Sequence, residues 1–267
     1  MSAVRTESFL VRSYEVDAMG ELSPPALVGY LVELAILHAE ELGLGFGAMS
    51  ARGLTWVLSR LRVELDEPVL QGATLRVETF PQGVERLFAL RDFRLLVGDT
   101  VVGRAATQWM LFDVEKRRAV WPDETLAKLV ALDVARAFEE PFIKLGPLDA
   151  AQTEEVSGRT MDSRFADIDR NLHVTSTSYV GWALEAIPLA TWQSSRLDWL
   201  EIHYLAECIH PCRVVSRAAP AADKGERVFR HAIAREGESA DVARLVTRWV
   251  PREAIASVAP PALGAAL

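Results

Sequence analysis

The sequence predicts an α+β protein built twice. Each of two antiparallel sheets is wrapped around one long helix, and each unit reads as a strand, a buried helix and then a meander. Three observations carry this. Arg12–Ala35 aligns without a gap with Arg164–Ile187 at a constant offset of 152, pairing Asp17 with Asp169, Ser23 with Thr175, Gly29 with Gly181, Tyr30 with Trp182 and Glu33 with Glu185. Apolar residues recur at helical spacing in both segments. Each segment is followed by runs rich in β-branched and aromatic residues, separated by turn residues.

In chain order, residues 5–16 predict a strand leading to Asp17. Ser23 then reads as an N-cap with Pro24 at the first helical position, and Gly43 as the stop. Between them Leu27, Tyr30, Leu31, Leu34, Ala35, His38 and Leu42 form one stripe, with Glu33, Glu40 and Glu41 off it. His38 reads as a core histidine. The second helix, capped by Thr175 or Ser176, buries the equivalent Tyr179, Trp182, Ala183, Ala186 and Ile187 and is expected to end at Pro188. Strands are predicted from Thr55, Thr74, Glu85 and Val101 in the first half and from Trp199, Cys212, Glu226 and Asp241 in the second. The units span 1–120 and 156–250. A linker with a helix over Glu124–Phe138 fills 121–155, and 251–267 reads as a frayed tail.

With 267 residues, half of them hydrophobic, the chain has enough apolar material for two modest cores. The first residues hold no apolar run of signal-peptide type, and no stretch approaches the roughly 18 apolar residues of a membrane helix. A cytoplasmic protein without a membrane partner is expected. A net charge of −8 with no basic cluster argues against nucleic acid. Two cysteines, Cys208 and Cys212, do not make a disulfide scaffold. The run Cys208–Cys212 also lacks an evident fourth ligand, so no metal and no other cofactor is expected.

In the stretch from Arg164 to Pro188, Asp169, Asn171 and His173 stand on alternate positions just ahead of a helix. Read as extended, this segment points all three side chains to one face. The helix N-terminus beside them favours negative charge, as on a carbonyl oxygen that becomes an anion. In the strand from Trp199, alternation turns Glu207 and Cys208 to opposite faces.

The doubled strand–helix–meander plan looks like a tandem hotdog fold. Y-E-V-D-A-M-G-E-L, W-V-L-S-R, R-D-F at Arg91–Phe93, D-I-D-R-N-L-H-V, Y-V-G-W-A-L-E and H-Y-L-A-E-C resemble, in order, stretches of the acyl-acyl-carrier-protein thioesterases of plants and bacteria. The resemblance implies hydrolysis of fatty acyl thioesters, on a carrier protein or coenzyme A, by a site of Asp169, Asn171, His173 and Glu207, with Cys208 as an alternative nucleophile. One departure is visible: Thr175-Ser176 follows His173-Val174 where the family has Asn-Asn. The chemistry requires a base for water, donors for an oxyanion and a dry slot. Glu207 can be the base, with donors from Asn171, His173 and the helix start at Thr175 and Ser176. The slot is expected in the first unit, along Leu27, Leu31, Leu54, Trp56 and Val57, because that copy has Met19 and Glu21 where Asn171 and His173 stand. The competing reading is a non-catalytic module that binds acyl thioesters. Either a monomer or a homodimer is compatible with a tandem unit.

Overall fold

The computed structural model describes residues 4–122, 126, 129, 134–148, 156–169, 172–221 and 227–252. The first half comprises β1 (Arg5–Leu10), α1 (Pro24–Glu41), α2 (Phe46–Ser50), β2 (Leu54–Leu65), β3 (Thr74–Glu85), β4 (Phe88–Val97), β5 (Thr100–Asp113) and β6 (Arg118–Val120). The second comprises β7 (Ser157–Asp162), α3 (Ser176–Leu184), α4 (Leu189–Ser194), β8 (Ser195–Tyr204), β9 (Arg213–Ala221), β10 (Arg227–Arg235) and β11 (Asp241–Pro251).

Among the described residues the strands form one antiparallel sheet rather than two, in the order β1-β3-β4-β5-β2-β8-β11-β10-β9-β7, with β6 beside β5. The fusion is at β2 and β8, where Arg60–Glu64 pair with His203–Trp199. Both strands present apolar residues to the core, Leu61 and Val63 against Ile202 and Leu200, all at most 3% exposed. Separating the halves would expose that apolar strip and leave two open strand edges.

The helices share the inner face of this sheet: α1 packs on β1 and β3, α3 on β9 and β10, and α1 touches α3. Their contact is reciprocal. A Cβ on Gly29 would lie 3.8 Å from Thr177, and one on Gly181 would lie 3.8 Å from Pro25. Because 29 and 181, and 25 and 177, are equivalent at the offset of 152, the halves meet about a pseudo-twofold axis. The same offset relates β1 to β7 and the start of α1 to that of α3.

The second helix departs from its copy. α1 runs 18 residues and ends where Gly43 takes φ 70°, whereas α3 stops after nine, at Leu184. Pro188 acts from four residues away: a proline ring clashes with the carbonyl four residues earlier, here that of Leu184. The chain then turns and starts α4.

Residues 134–148 carry no regular structure and lie across the outer face of the sheet. Arg62 donates to the carbonyls of Glu140 and Pro141, and Arg244 and Arg230 to those of Leu145 and Gly146. The helix expected over Glu124–Phe138 falls mostly outside the described residues, and its described end, 134–138, is not helical. The tail beyond Arg252 also lies outside them. No described helix is long and apolar enough to cross a membrane.

Candidate active site

The segment ahead of α3 is a closed turn, not the extended strand its alternation suggests. Ile168 and Val174 form a bridge, the Asp169 N–H donates to the His173 carbonyl (2.8 Å), and the Leu172 N–H donates to that of Asp169 (3.1 Å). Leu172 takes φ 61° to close it. The Asp169 carboxylate accepts the His173 backbone N–H at 3.0 Å, so it fixes the loop that carries His173. Asn171 lies outside the described residues.

The first copy makes the same turn. Val16 bridges Leu22, Gly20 takes φ 76°, and the Asp17 carboxylate accepts the N–H groups of Met19 and Glu21 at 2.8 and 3.1 Å. Asp17 and Asp169 therefore share a structural duty, closing the turn. What differs is the side chain each turn presents: Glu21 in one, His173 in the other.

Glu207 arrives from the other side. β8 ends at Tyr204, and the following residues pair with the turn: His173 bridges Ile209, the Val174 N–H donates to the Cys208 carbonyl (2.9 Å), and the His210 N–H donates to that of Leu172 (2.9 Å). This seats Glu207 Oε2 3.8 Å from His173 Nε2, with both side chains about two-fifths exposed. The other carboxylate oxygen, Oε1, accepts from Arg117 at 2.9 Å.

Cys208 faces away, fully buried in the main core, and its backbone N–H donates to the Tyr179 hydroxyl at 2.9 Å. Burial pushes its thiol above the ordinary cysteine range. Such a thiol is neutral at pH 7 and a poor nucleophile.

Thr175 is the N-cap of α3, and its hydroxyl lies within hydrogen-bond distance of those of Thr177 and Ser178 (2.9 and 3.0 Å). Asp167, which sequence reasoning passed over, braces this end. Its carbonyl accepts the Thr175 N–H at 2.8 Å, and its carboxylate sits 3.2 Å from the Ser178 hydroxyl and 3.0 Å from Arg164. Burial works against the Asp167 charge, yet the Arg164 side chain and N–H outweigh it and hold the carboxyl below its usual range.

An apolar cavity opens in the first unit, lined by Ala35, Ala39, Leu44, Trp56, Ala89 and Trp109 among others. Of the slot residues expected from sequence, Trp56 lines it, with its ring N–H donated to the Leu44 carbonyl (2.7 Å), and Leu54 packs in the cluster around it. Leu27 and Leu31 instead belong to the main core, and Val57 is half-buried outside the cavity wall. His38 is fully buried, with Nδ1 2.9 Å from Arg91, which lines the cavity. The β2–β8 ladder ends at Arg60↔His203. Beyond it the Val114 N–H donates to the Gly53 carbonyl just before β2, and Arg117 of the same turn reaches Glu207. The start of β2, with Trp56 in the cavity wall, and His173–Glu207 therefore share one end of the sheet.

The equivalent place in the first copy is built differently. Pro68 stands where Glu207 does, and Glu21 and Asp17 ion-pair with Arg252, the latter at 3.5 Å. Trp192 and Trp249 wall this second pocket with ring centroids 5.7 Å apart. Among the described residues no three His, Cys, Asp or Glu side chains converge as a metal would require.

Comparison with known proteins places both halves. Residues 2–129 match the family described as acyl-ACP thioesterase N-terminal domain, and 150–251 the acyl-ACP thioesterase C-terminal domain. A chloroplastic palmitoyl-acyl carrier protein thioesterase of Gossypium hirsutum is 29% identical across 95% of this chain, which spans 65% of its length. A chloroplastic acyl-[acyl-carrier-protein] hydrolase of Cuphea viscosissima is 27% identical across 94%, and there the chain spans 62%. Among solved structures, an acyl-ACP thioesterase from Bacteroides thetaiotaomicron superposes with a TM-score of 0.82 at 25% identity, covering 94% of this chain and all of that one. The 12:0-ACP thioesterase of Umbellularia californica shares the fold at the same TM-score and 24% identity, over 94% and 99% of the two chains.

Proposed function

Since the chain belongs to the acyl-ACP thioesterase family in both its halves, we propose that it hydrolyses fatty acyl thioesters carried on an acyl carrier protein to a free acid and a thiol. The observation that carries this reading is the facing of His173 Nε2 and Glu207 Oε2 at the end of the sheet where the apolar cavity lies. The cavity takes the alkyl chain and the thioester carbon rests between the two side chains. Glu207 accepts a proton from water as the water oxygen bonds to that carbon, a role worth about 10²- to 10⁴-fold. The oxyanion gathers beside the start of α3, whose dipole favours negative charge. When the C–S bond breaks, the proton that Glu207 took from water passes by way of His173 to the departing thiolate, which returns both side chains to their starting state. Asp169 holds the His173 loop, and Asn171 is proposed as a further oxyanion donor.

Water, not Cys208, is the nucleophile in this reading, because the thiol is buried and held neutral. Steady-state release of acid from carrier-bound and coenzyme-A-bound acyl chains of graded length tests it. Glu207→Gln is expected to slow turnover by about 10²-fold or more, with Cys208→Ala close to wild type. A cysteine nucleophile would instead give a rate that climbs into the alkaline range as the thiol ionises. An acyl group trapped on Cys208, or the absence of turnover on every thioester, would overturn the proposal.

A further inference from the structure

We propose that Arg117 is a positioning residue of this site, supplied by the first unit to orient the Glu207 carboxylate of the second. The inference rests on Glu207 being the base. Glu207 has two oxygens with separate neighbours: Oε1 is held by the Arg117 guanidinium at 2.9 Å, and Oε2 is turned to His173 at 3.8 Å. A carboxylate on an exposed segment rotates freely unless one oxygen is tied, and tying Oε1 leaves Oε2 for the attacking water. Sub-ångström differences in such placement matter to rate, since a 1 Å misplacement can cost about 10²-fold.

The support behind Arg117 is built rather than incidental. It closes the turn between β5 and β6 at φ 50°, a left-handed conformation that non-glycine residues rarely take. That turn is pinned where it leaves β5. The Val114 N–H donates to the Gly53 carbonyl (3.0 Å), and the Asp113 carboxylate accepts the Lys116 N–H (2.8 Å) and its ammonium (2.9 Å). The Lys116 N–H is the main cause that holds the Asp113 carboxyl below its usual range. Glu207 is fixed from its own side too, where Arg235 donates to its backbone carbonyl. The guanidinium and the carboxylate thus come from two separately anchored segments, one in each unit.

The test is a kinetic cycle on the full chain with carrier-bound and coenzyme-A-bound substrates. Arg117→Ala is expected to lower kcat by about tenfold with KM changed less than about twofold. Arg117→Lys should recover most of the loss, because an ammonium still ties one oxygen. In a Glu207→Gln background Arg117→Ala should cost almost nothing more, since it acts only through that carboxylate. Unchanged kcat in Arg117→Ala, or a full additional loss on top of Glu207→Gln, would overturn the assignment. So would a KM raised for carrier-bound substrate alone, which would make Arg117 a docking contact. Should Arg117→Ala fold poorly, Arg117→Gln gives the same readout. If Glu207→Gln itself turns over at the wild-type rate, the base reading fails, separately from a failure of Arg117 alone.

Discussion

Arg62 faces Glu201 across the pseudo-twofold axis, at equivalent positions of the two copies. In the β2–β8 ladder Leu61 pairs with Ile202, Arg62 with Glu201 and Val63 with Leu200. At the offset of 139 that relates β2 to β8 (201 against 62), Arg62 is therefore opposite its own counterpart. Two identical halves can only set a residue against itself, and a charge there would meet its like. Divergence within one chain allows opposite charges instead, with Arg62 Nε 2.7 Å from Glu201 Oε2 and both side chains at most 5% exposed.

The pair is fully engaged, which predicts the cost of breaking it. Glu201 Oε1 also accepts the Ile143 N–H (2.7 Å) and lies 3.0 Å from His203 Nε2, while Arg62 stacks on Phe138 and Phe142. Glu201→Ala would strand a buried guanidinium and is expected to destabilise by about 3–5 kcal/mol, whereas replacing both residues with methionine should recover much of that. Denaturant unfolding of the single and double variants checks this. A single variant as stable as wild type would contradict it.

Leu172 and Gly20 offer a gentler contrast. Both close the turn at left-handed φ, 61° and 76°, but only glycine does so without a Cβ penalty. Leu172→Gly should relieve roughly 1–2 kcal/mol of backbone strain against roughly 0.5–1 kcal/mol of added chain entropy. Leu172 is more than half exposed, so little burial is forfeited. The variant should come out level with or above wild type by about 0.5 kcal/mol in unfolding free energy, read from urea titration. A clear loss would mean that the Leu172 side chain makes a contact worth more than the strain.

His231 sets an acid limit on stability. Burial pushes it from 6.5 down to about 4, against a weaker opposing pull from the Ala183 backbone, while its Nε2 lies 2.9 Å from the Thr247 hydroxyl. In the unfolded chain the ring takes a proton near 6.5, and in the folded protein only near 4. Between those values the unfolded state binds more protons, so stability falls as pH falls, by about 3 kcal/mol over the window. It is fully present above pH 6.5. Thermal or urea unfolding at pH 4 to 7 should show a shallower slope for His231→Gln, and an unchanged slope would assign the effect to other groups.

Several elements were legible because their signal is local. The Ser23–Pro24 start and the Gly43 stop bound α1 almost to the residue, and the turn residues at Gln71–Gly72 and Gly98–Asp99 separate real strands. Strand β7 follows from the repeated plan but had no bounds of its own: Ser157–Asp162 is a largely exposed edge strand without apolar alternation, and only the offset from β1 places it. The 169–173 turn misled because polar alternation mimics a strand, whereas the backbone closes on itself through Asp169. In the candidate site, His173 and Glu207 each stand in a readable motif. Arg117 does not, since it meets Glu207 across 90 residues of sequence. Leu27 and Leu31 sat on a plausible wall, but a helical stripe does not distinguish core from cavity, and both fill the core.

The first copy's counterpart to the site, where Arg252 ion-pairs with Glu21 and Asp17, bears on how the protein saturates. A duplicated fold starts with two equivalent mouths, and two working mouths in contact through α1 and α3 would be free to couple. Here one presents His173 and Glu207 while the other is occupied by its own arginine and walled by two tryptophans. With His173 and Glu207 as the proposed site, each chain offers one place for substrate. A monomer should then saturate along a plain hyperbola with a Hill coefficient of about 1, because linkage between like sites needs a second site to link.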